Sequence, residues 1–271
     1  MDFKIGNRPV GPGHPTYIIA ELSANHGQDF DLTVRIIQAM KESGADAVKV
    51  QTYTADTMTI ASDKPPFLIG GGTLWDGRTL HDLYQEAYMP WDWQPKLKKI
   101  SNDLGMHFFS TPFDASAVDF LEAMDVPVHK IASFELVDLP LLRKIAATQK
   151  PIIMSTGMDT LDKISEALDT LRLAESGPVL LLKCTSAYPA TADEMDLRTI
   201  HDMAAHFQTH VGLSDHTIGS TVAEAAVALG ACVFEKHEQH PLPDPDPDPG
   251  ARLGQLGLGA RASSVARGLA G

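Results

Sequence analysis

The 271-residue chain carries 22 Lys and Arg against 35 Asp and Glu, a formal net charge of −13 at pH 7. A nucleic-acid surface needs a basic patch, so this balance argues against a nucleic-acid partner. No apolar run approaches the ~20 residues of a membrane span, and the N-terminal stretch MDFKIGNRPVG lacks the apolar region of a secretory signal. We therefore expect a cytoplasmic protein without a membrane partner.

Eight short apolar runs divide residues 1–237, and each is followed by hydroxyl, charged or imidazole side chains. Parallel strands that are covered on both faces read as nearly continuous apolar residues, and polar residues gather where they leave the core. The pattern predicts an α/β fold, a (β/α)8 TIM barrel whose site lies at the strand ends. The predicted strands cover residues 17–21, 47–51, 107–111, 128–133, 152–156, 179–185, 211–214 and 232–237.

Helical periodicity predicts seven covering helices where a complete barrel has eight. They cover residues 30–44, 93–104, 114–125, 138–149, 160–176, 194–207 and 219–229. One long insertion, residues 54–90, follows the second strand and is rich in glycine and aromatic residues. A connection of this length is usually functional, so we interpret it as a lid or a substrate-binding loop.

The chain changes character after His237. Proline alternates with aspartate and is followed by Gly, Ala, Leu and Arg without a helical face. Proline at every second position forbids a helix, so we expect residues 238–271 to form a disordered, low-complexity tail after a barrel domain at 1–237. The two cysteines, Cys184 and Cys232, lie in predicted strands without metal-finger spacing, and we interpret them as reduced core thiols.

Residues two apart on a strand point to the same face, so pairs of polar residues at the strand ends predict one shared cavity. Neutral imidazoles from neighbouring strands suit a divalent metal, and we predict that His216 and His237 bind one. A hydrogen-bonded pair of histidines is the alternative. The predicted pairs are Lys49 with Gln51, Ser133 with Glu135, Ser186 with Tyr188, Ser214 with His216, and Glu235 with His237.

Two lysines, Lys49 and Lys130, lie inside apolar strands, in VKVQ and HKIAS. A buried lysine without an anion costs several kcal/mol or loses its proton. A bound phosphate or carboxylate is the sharper hypothesis, and an internal network with Glu21 or Glu135 is the alternative. Hydroxyl groups that could donate to a bound anion belong to Thr111, Ser133, Ser155 and Ser214.

Eight motifs lie at the predicted strand ends, in chain order over residues 17–237: IIAELSANHGQDFD, AVKVQTY, FFSTPFD, KIASFEL, IIMSTGM, LLKCTSAYPA, GLSDHTIGS and FEKH. Together they resemble the sialic acid synthase family. CTSAYPA and the 54–90 insertion are most similar to its pseudaminic acid synthase branch. The resemblance implies condensation of phosphoenolpyruvate with 2,4-diacetamido-2,4,6-trideoxy-L-altrose, giving a nine-carbon acid and phosphate. An N-acetylneuraminate or legionaminate synthase, or a truncated non-catalytic barrel, are the alternatives.

The same resemblance implies roles for individual residues. Glu21 is similar to the family's catalytic glutamate, and His216 and His237 to its ligands for Mn²⁺ or Mg²⁺, while Asp215 is expected to orient His216 or its loop. The sugar-facing residues would be Gln51, Glu135 and Tyr188. The phosphoenolpyruvate contacts would be Lys49, Thr111, Lys130, Ser133, Ser155, Ser186 and Ser214.

The resemblance also implies a homodimer. Family members continue with an eighth helix and a small antifreeze-like C-terminal domain, and neither is recognisable after His237.

Overall fold

The structure, a computed structural model, describes residues 2–70, 76–187 and 190–237, with only the backbone described at His237. The expected tail at 238–271, including any eighth helix, and Tyr188 lie outside the described residues. In the part of the chain that is described, no helix is both long enough and apolar enough to cross a membrane.

Eight parallel strands form one sheet in the order β5-β4-β3-β10-β9-β8-β7-β6. The two outer strands of this order, β5 and β6, pack against each other, so the sheet curls into a nearly closed barrel. This confirms the predicted (β/α)8 fold. The strands are β3 (Tyr17–Glu21), β4 (Ala47–Thr52), β5 (His107–Pro112), β6 (His129–Ile131), β7 (Ile152–Ser155), β8 (Val179–Cys184), β9 (His210–Asp215) and β10 (Val233–His237).

A short antiparallel hairpin, β1 (Phe3–Ile5) and β2 (Arg8–Val10), precedes the barrel and was not predicted. Its apolar side chains are buried in one cluster with Tyr17 and Ile19 of the barrel interior. The hairpin therefore closes the N-terminal end of the barrel. Arg8 fastens it by an ion pair with Asp46, next to the start of β4.

Helices cover the outside of the barrel. The seven predicted helices are all present, with ends within a few residues of the prediction. Two further helices, α2 and α3, form within the 54–90 insertion. The helices are α1 (Phe30–Glu42), α2 (Ala55–Met58), α3 (Leu80–Ala87), α4 (Gln94–Asp103), α5 (Ala115–Ala123), α6 (Leu139–Ala146), α7 (Leu161–Leu173), α8 (Thr199–Phe207) and α9 (Thr221–Ala228).

Aspartates begin three of these helices. The side chain of Asp29 accepts a hydrogen bond from the Leu32 amide at the start of α1. Asp114 and Asp138 accept equivalent bonds at the starts of α5 and α6. Each carboxylate satisfies an amide that has no partner within its helix, which fixes where the helix starts.

Side chains along each strand point alternately to the outside and to the inside of the barrel, and the inward-pointing ones are apolar at one end and polar at the other. On β3, Ile18 and Ala20 point outward and pack in clusters with helix side chains. Tyr17 and Ile19 point inward and pack with the hairpin. Glu21, two residues further on, lines a cavity at the C-terminal end. The interior is therefore apolar near the hairpin and charged where the strands end.

Two of the predicted polar pairs begin beyond the end of a strand. β6 ends at Ile131, and the Glu135 amide donates to the Ala132 carbonyl as the chain enters a 3₁₀ turn. Ser133 and Glu135 therefore share a turn rather than a strand face. β8 ends at Cys184, so Ser186 also lies beyond its strand. In both places the chain turns earlier than the apolar pattern predicted.

Both cysteines are buried free thiols, as predicted. Cys184 ends β8, and Cys232 directly precedes β10. Burial raises the pKa of the Cys232 thiol to about 12. Cys232 is therefore a protonated core residue at neutral pH.

Candidate functional site

A cavity of about 230 Å³ opens at the C-terminal end of the barrel, where the strand ends converge. Most of the residues predicted from the sequence line it, and they come from six different strands or the segments that follow them. This is the end at which barrel enzymes place their active sites. The lining side chains that were predicted are Glu21, Lys49, Gln51, Thr111, Lys130, Ser133, Glu135, Ser155, Ser214 and His216.

Three predicted site residues are not seen on this lining. Tyr188 is outside the described residues, and the side chain of His237 is not described. Ser186 is not among the lining residues and lies beside Gly157, where a built Cβ would be 2.6 Å from Ser186 Oγ. The structure thus shows where ten of the predicted residues lie, and the predicted roles of all thirteen stay predictions.

Two lysines and two glutamates form a buried charge cluster at the base of the cavity. Lys49 Nζ lies 2.6 Å from Glu21 Oε2 and 3.2 Å from Glu235 Oε1. Lys130 Nζ lies 3.8 Å from the same oxygen of Glu235. The internal Lys–Glu network considered from the sequence is therefore present, but Glu235 rather than Glu135 is its second carboxylate. The sequence did indicate Glu235, because this residue lies two positions before His237 and therefore points to the same face of the strand.

Polar side chains surround this charge cluster. Gln51 Nε2 donates to Glu21 Oε1 at 3.1 Å, and Ser214 Oγ donates to Glu235 Oε1 at 3.1 Å. Lys130 Nζ donates to Ser155 Oγ at 2.7 Å and to the Ile131 carbonyl at 3.0 Å. The charged groups are thus held in fixed positions, which a preorganised anion site requires.

The pKa values of the two lysines shift in opposite directions. Burial disfavours both ammonium groups, but at Lys49 the attraction of Glu21 and Glu235 outweighs it, so the pKa is raised. At Lys130 burial dominates over the attraction of Glu235, and the charge of Lys49 lowers the pKa further. Lys130 is therefore the ammonium that gains most from an added anion in the cavity.

Glu135 lies higher on the cavity wall. Burial raises the pKa of its carboxyl group. Its Oε2 atom is buried and has no hydrogen-bond partner among the residues that the structure describes. An unpaired buried carboxyl oxygen is costly, so a hydroxyl or amide group on a bound molecule would stabilise it.

His216 is oriented as a metal-binding histidine would be. Its Nδ1 lies 2.8 Å from the Thr185 carbonyl oxygen. A carbonyl can only accept, so Nδ1 carries the proton and Nε2 is the unprotonated nitrogen in the neutral ring. Metal-binding histidines typically donate their other ring N–H to a carbonyl or carboxylate oxygen, so His216 fits a divalent metal.

The second predicted metal ligand, His237, is described only at its backbone atoms. Lys236 on β10 is in register with Asp215 on β9, so His237 and His216 each follow this pair by one residue. His237 is also in register with Glu21 of β3. No group of three His, Cys, Asp or Glu suited to a metal is found within the described ranges. Metal binding therefore stays a prediction.

Asp215 contacts its own loop on the outer face of the barrel. Its Oδ1 accepts from the Thr217 amide at 2.8 Å, and its Oδ2 from Lys236 Nζ at 2.8 Å. Asp215 is therefore held by the loop and by β10, in line with the expectation that it orients this loop.

The upper part of the cavity carries aromatic and apolar side chains beside Glu135, and these were not predicted. Tyr53 and Phe113 follow β4 and β5, whereas Met58 ends α2 and Tyr84 lies on α3. Phe134, 67% exposed, lies at the mouth. The aromatic content of the 54–90 insertion was the available signal, but these segments are irregular and no periodicity shows which side chains face inward.

Comparison with known proteins places this geometry in a family. The NeuB family model matches residues 36–258. The pseudaminic acid synthase of Helicobacter pylori is 46% identical over 223 residues, which is 82% of this chain and 65% of that protein. The pseudaminic acid synthase of Campylobacter jejuni strain 81-176 is 42% identical, over 86% of this chain and 67% of that protein. The chain thus spans about two thirds of the length of these relatives.

A relative of lower sequence identity has a different name from these two. The N,N'-diacetyllegionaminic acid synthase of Legionella pneumophila is 37% identical, over 86% of this chain and 66% of that protein.

Two solved structures are similar to the whole described fold. The N-acetylneuraminic acid synthetase of Leptospira borgpetersenii, in complex with citrate, superposes with a TM-score of 0.84 at 26% identity, over 99% of this chain and 90% of that chain. The spore coat polysaccharide biosynthesis protein SpsE of Bacillus subtilis has a TM-score of 0.79 at 30% identity, over 97% of this chain and 72% of that chain. By sequence and by fold, the chain belongs to the NeuB family.

Proposed function

We propose that the chain is a pseudaminic acid synthase, which condenses phosphoenolpyruvate with 2,4-diacetamido-2,4,6-trideoxy-L-altrose and releases phosphate. The observation that carries the proposal is the buried pair Lys49 and Lys130, which share Glu235 at the base of a hydroxyl-lined cavity. The names of the relatives support the choice of product, because two relatives at 42–46% identity are pseudaminic acid synthases.

Phosphoenolpyruvate occupies the charged base of the cavity in this proposal. Lys130 approaches its anionic groups, and the positive charge lost through the lowered pKa of this lysine is restored by the ligand. Lys49 supplies a permanently charged ammonium group because Glu21 and Glu235 raise its pKa. The hydroxyl groups available to the phosphate and carboxylate belong to Thr111, Ser133, Ser155 and Ser214.

His216 and His237 would hold a divalent metal, Mn²⁺ or Mg²⁺, next to the acceptor. Such a metal supplies Lewis acidity to the acceptor's aldehyde oxygen when bound. The fit rests on His216, whose ring is oriented by the Thr185 carbonyl.

The carbon–carbon bond forms between C3 of phosphoenolpyruvate and the aldehyde carbon of the open-chain sugar. The aldehyde oxygen becomes a hydroxyl group by gaining a proton, and positive charge develops at C2. Water adds to C2 and gives up a proton, and in this proposal Glu21, which lines the cavity beside Lys49, accepts it. The C2–O bond to the phosphate group then breaks, and the new C2 hydroxyl passes its proton to the departing phosphate, which leaves a ketone and free phosphate. The two lysines stabilise the charge on that phosphate.

Phosphate release tests this proposal directly. Purified protein with Mn²⁺ and phosphoenolpyruvate should release phosphate when the altrose is added, and much more slowly with N-acetylmannosamine. His216→Ala should abolish release. Release with N-acetylmannosamine alone would instead support a sister synthase, and a folded protein that releases none with any acceptor would support the non-catalytic barrel.

The proposal extends to the cellular setting. We propose a cytoplasmic homodimer that handles only small molecules, and the mass of the purified protein by light scattering checks the dimer.

A further inference from the structure

The cavity has two chemically different halves. Its base carries the charged cluster around Lys49 and Lys130, and its upper side carries what we name the apolar wall, formed by Tyr53, Met58, Tyr84 and Phe113. Phosphoenolpyruvate is small and polyanionic, and it has no apolar group larger than a methylene. The charged base suits it, so the apolar wall has to face the second substrate.

The apolar wall is held in position by contacts within the chain. The Tyr53 ring packs edge-on against Tyr84 at 5.8 Å and against Phe113 at 5.5 Å between ring centroids. Trp91 Nε1 donates to the Tyr53 carbonyl at 3.0 Å. Edge-on aromatic packing of this kind fixes ring orientation as well as burying area.

The helices of the insertion are tied to each other and to the barrel. His81 of α3 contacts Asp56 of α2 at 2.9 Å between Nε2 and Oδ1. Gln28, at the entrance to α1, donates to the carbonyls of Glu86 and Tyr88 at 3.1 Å each. These bonds hold Met58 and Tyr84 against the cavity before any substrate arrives, so the wall is preorganised.

An apolar surface discriminates between ligands because it offers no hydrogen-bond partner to a polar group that is placed against it. A methyl group placed against the aromatic ring faces and the Met58 side chain is favourable, whereas a hydroxymethyl group against the same apolar atoms loses its hydrogen bonds to water. A hydrophobic pocket discriminates against an added hydroxyl by about 100-fold at most. The wall can therefore distinguish sugars that differ only at one methyl position.

We propose that the apolar wall selects acceptor sugars with a methyl group at C6 over sugars with a hydroxymethyl group there, and that Met58 and Tyr84 are the specificity-determining residues. The inference rests on the proposed function, since it assigns the acceptor of the same site. It makes the choice of a 6-deoxy sugar a property of the 54–90 insertion rather than of the charged base.

The test compares two acceptors that differ only at C6: 2,4-diacetamido-2,4,6-trideoxy-L-altrose and 2,4-diacetamido-2,4-dideoxy-L-altrose. Wild type should prefer the 6-deoxy sugar in kcat/KM by roughly tenfold or more. Met58→Gln and Tyr84→Ser should each remove most of this preference, whereas Tyr84→Phe, which keeps the ring, should retain it. The KM for phosphoenolpyruvate should stay within about twofold in all variants, which also shows that they fold.

Ile60→Gln is the matched control. Ile60 follows α2, is 62% exposed and is not on the cavity lining, so the preference should be unchanged. An unchanged preference in both Met58→Gln and Tyr84→Ser would overturn the inference while leaving the proposed reaction standing.

A binding measurement separates this inference from the reaction. Saturation-transfer NMR with phosphoenolpyruvate present should show the strongest transfer at the C6 methyl protons of the acceptor, and Tyr84→Ser should reduce it. That result without turnover would support the wall and contradict the proposed reaction. Turnover without transfer to the C6 methyl, or no binding of either sugar, would overturn the inference.

Discussion

Lys49 and Lys130 approach the same atom, Glu235 Oε1, at 3.2 and 3.8 Å. Among the residues that the structure describes, only Lys49 has a second carboxylate within 4 Å, that of Glu21 at 2.6 Å. All of these side chains are at most 3% exposed. The cluster therefore contains one ammonium, Lys49, that is closely paired with two carboxylates and a second, Lys130, whose nearest carboxylate is shared with Lys49. The two lysines should respond differently to mutation and to pH.

Lys49→Met should destabilise the fold by about 3–5 kcal/mol, because it leaves Glu21 and Glu235 buried without their closest cation. The double variant Glu21→Gln with Lys49→Met should be less destabilised than Lys49→Met alone. Urea unfolding measures both values. A loss below about 1 kcal/mol in the single variant would show that the pair is not buried as described.

Phosphoenolpyruvate binding should weaken as the pH rises through the lowered pKa of Lys130. The protonated lysine binds the anion, so the affinity is present below this pKa and is lost above it. Above about pH 7.5 the ligand's phosphate no longer titrates, which isolates the protein group. The KM for phosphoenolpyruvate should therefore increase in this range for wild type and stay flat for Lys130→Arg, whose guanidinium remains charged. If the KM rises with pH equally in wild type and in Lys130→Arg, the titrating group is not Lys130.

His26 should make the fold sensitive to mild acid. It is 1% exposed, and burial lowers its pKa to about 4 against the opposing effect of the Ala87 carbonyl. The unfolded state takes up a proton near pH 6.5, so the stabilisation is complete above that pH and is lost as the pH falls towards about 4. Over this window, the free energy of unfolding should fall by roughly 2–3 kcal/mol more in wild type than in His26→Gln. Denaturant unfolding at several pH values gives the difference, and equal slopes would contradict the assignment.

Gly212 on β9 should tolerate no side chain. A Cβ there would lie 2.3 Å from the Val233 carbonyl oxygen and 2.8 Å from Leu182 Cδ2. Backbone cannot yield easily, so Gly212→Ala should cost about 2 kcal/mol or more by overpacking. Gly70→Ala, where a Cβ would meet nothing within 4 Å, is the control and should be nearly neutral. Thermal unfolding of the two variants makes the comparison, and equal melting temperatures would mean that β9 and β10 are further apart.

The barrel could be predicted because its strands are buried on both faces. The run at 17–21 coincides with β3, since its continuous apolar character depends only on covering layers that every barrel has. The hairpin of β1 and β2 could not be predicted. Its strands have three residues each, and Arg8 and Val10 are held by Asp46 and the barrel interior, contacts that are distant in sequence.

The candidate site likewise contains residues that could be predicted from the sequence and residues that could not. Lys49 and Gln51 could be predicted as neighbours because strand alternation fixes their shared face. Ser133 and Glu135 line the cavity although the strand ends before them, so their placement came from a turn that the pattern did not reveal. Tyr84 and Met58 reach the cavity only because α2 and α3 fold back over the strand ends, which is a tertiary arrangement without a periodic signal.

The central claim is that the cavity joins C3 of phosphoenolpyruvate to the aldehyde carbon of a 6-deoxy diacetamido sugar. The most direct measurement is ¹³C NMR of a reaction that contains phosphoenolpyruvate labelled at C2, Mn²⁺ and 2,4-diacetamido-2,4,6-trideoxy-L-altrose. The label should move into the anomeric hemiketal carbon of a nine-carbon acid as phosphate appears. Label that remains in phosphoenolpyruvate, or passes only to pyruvate, in the presence of folded protein would contradict it.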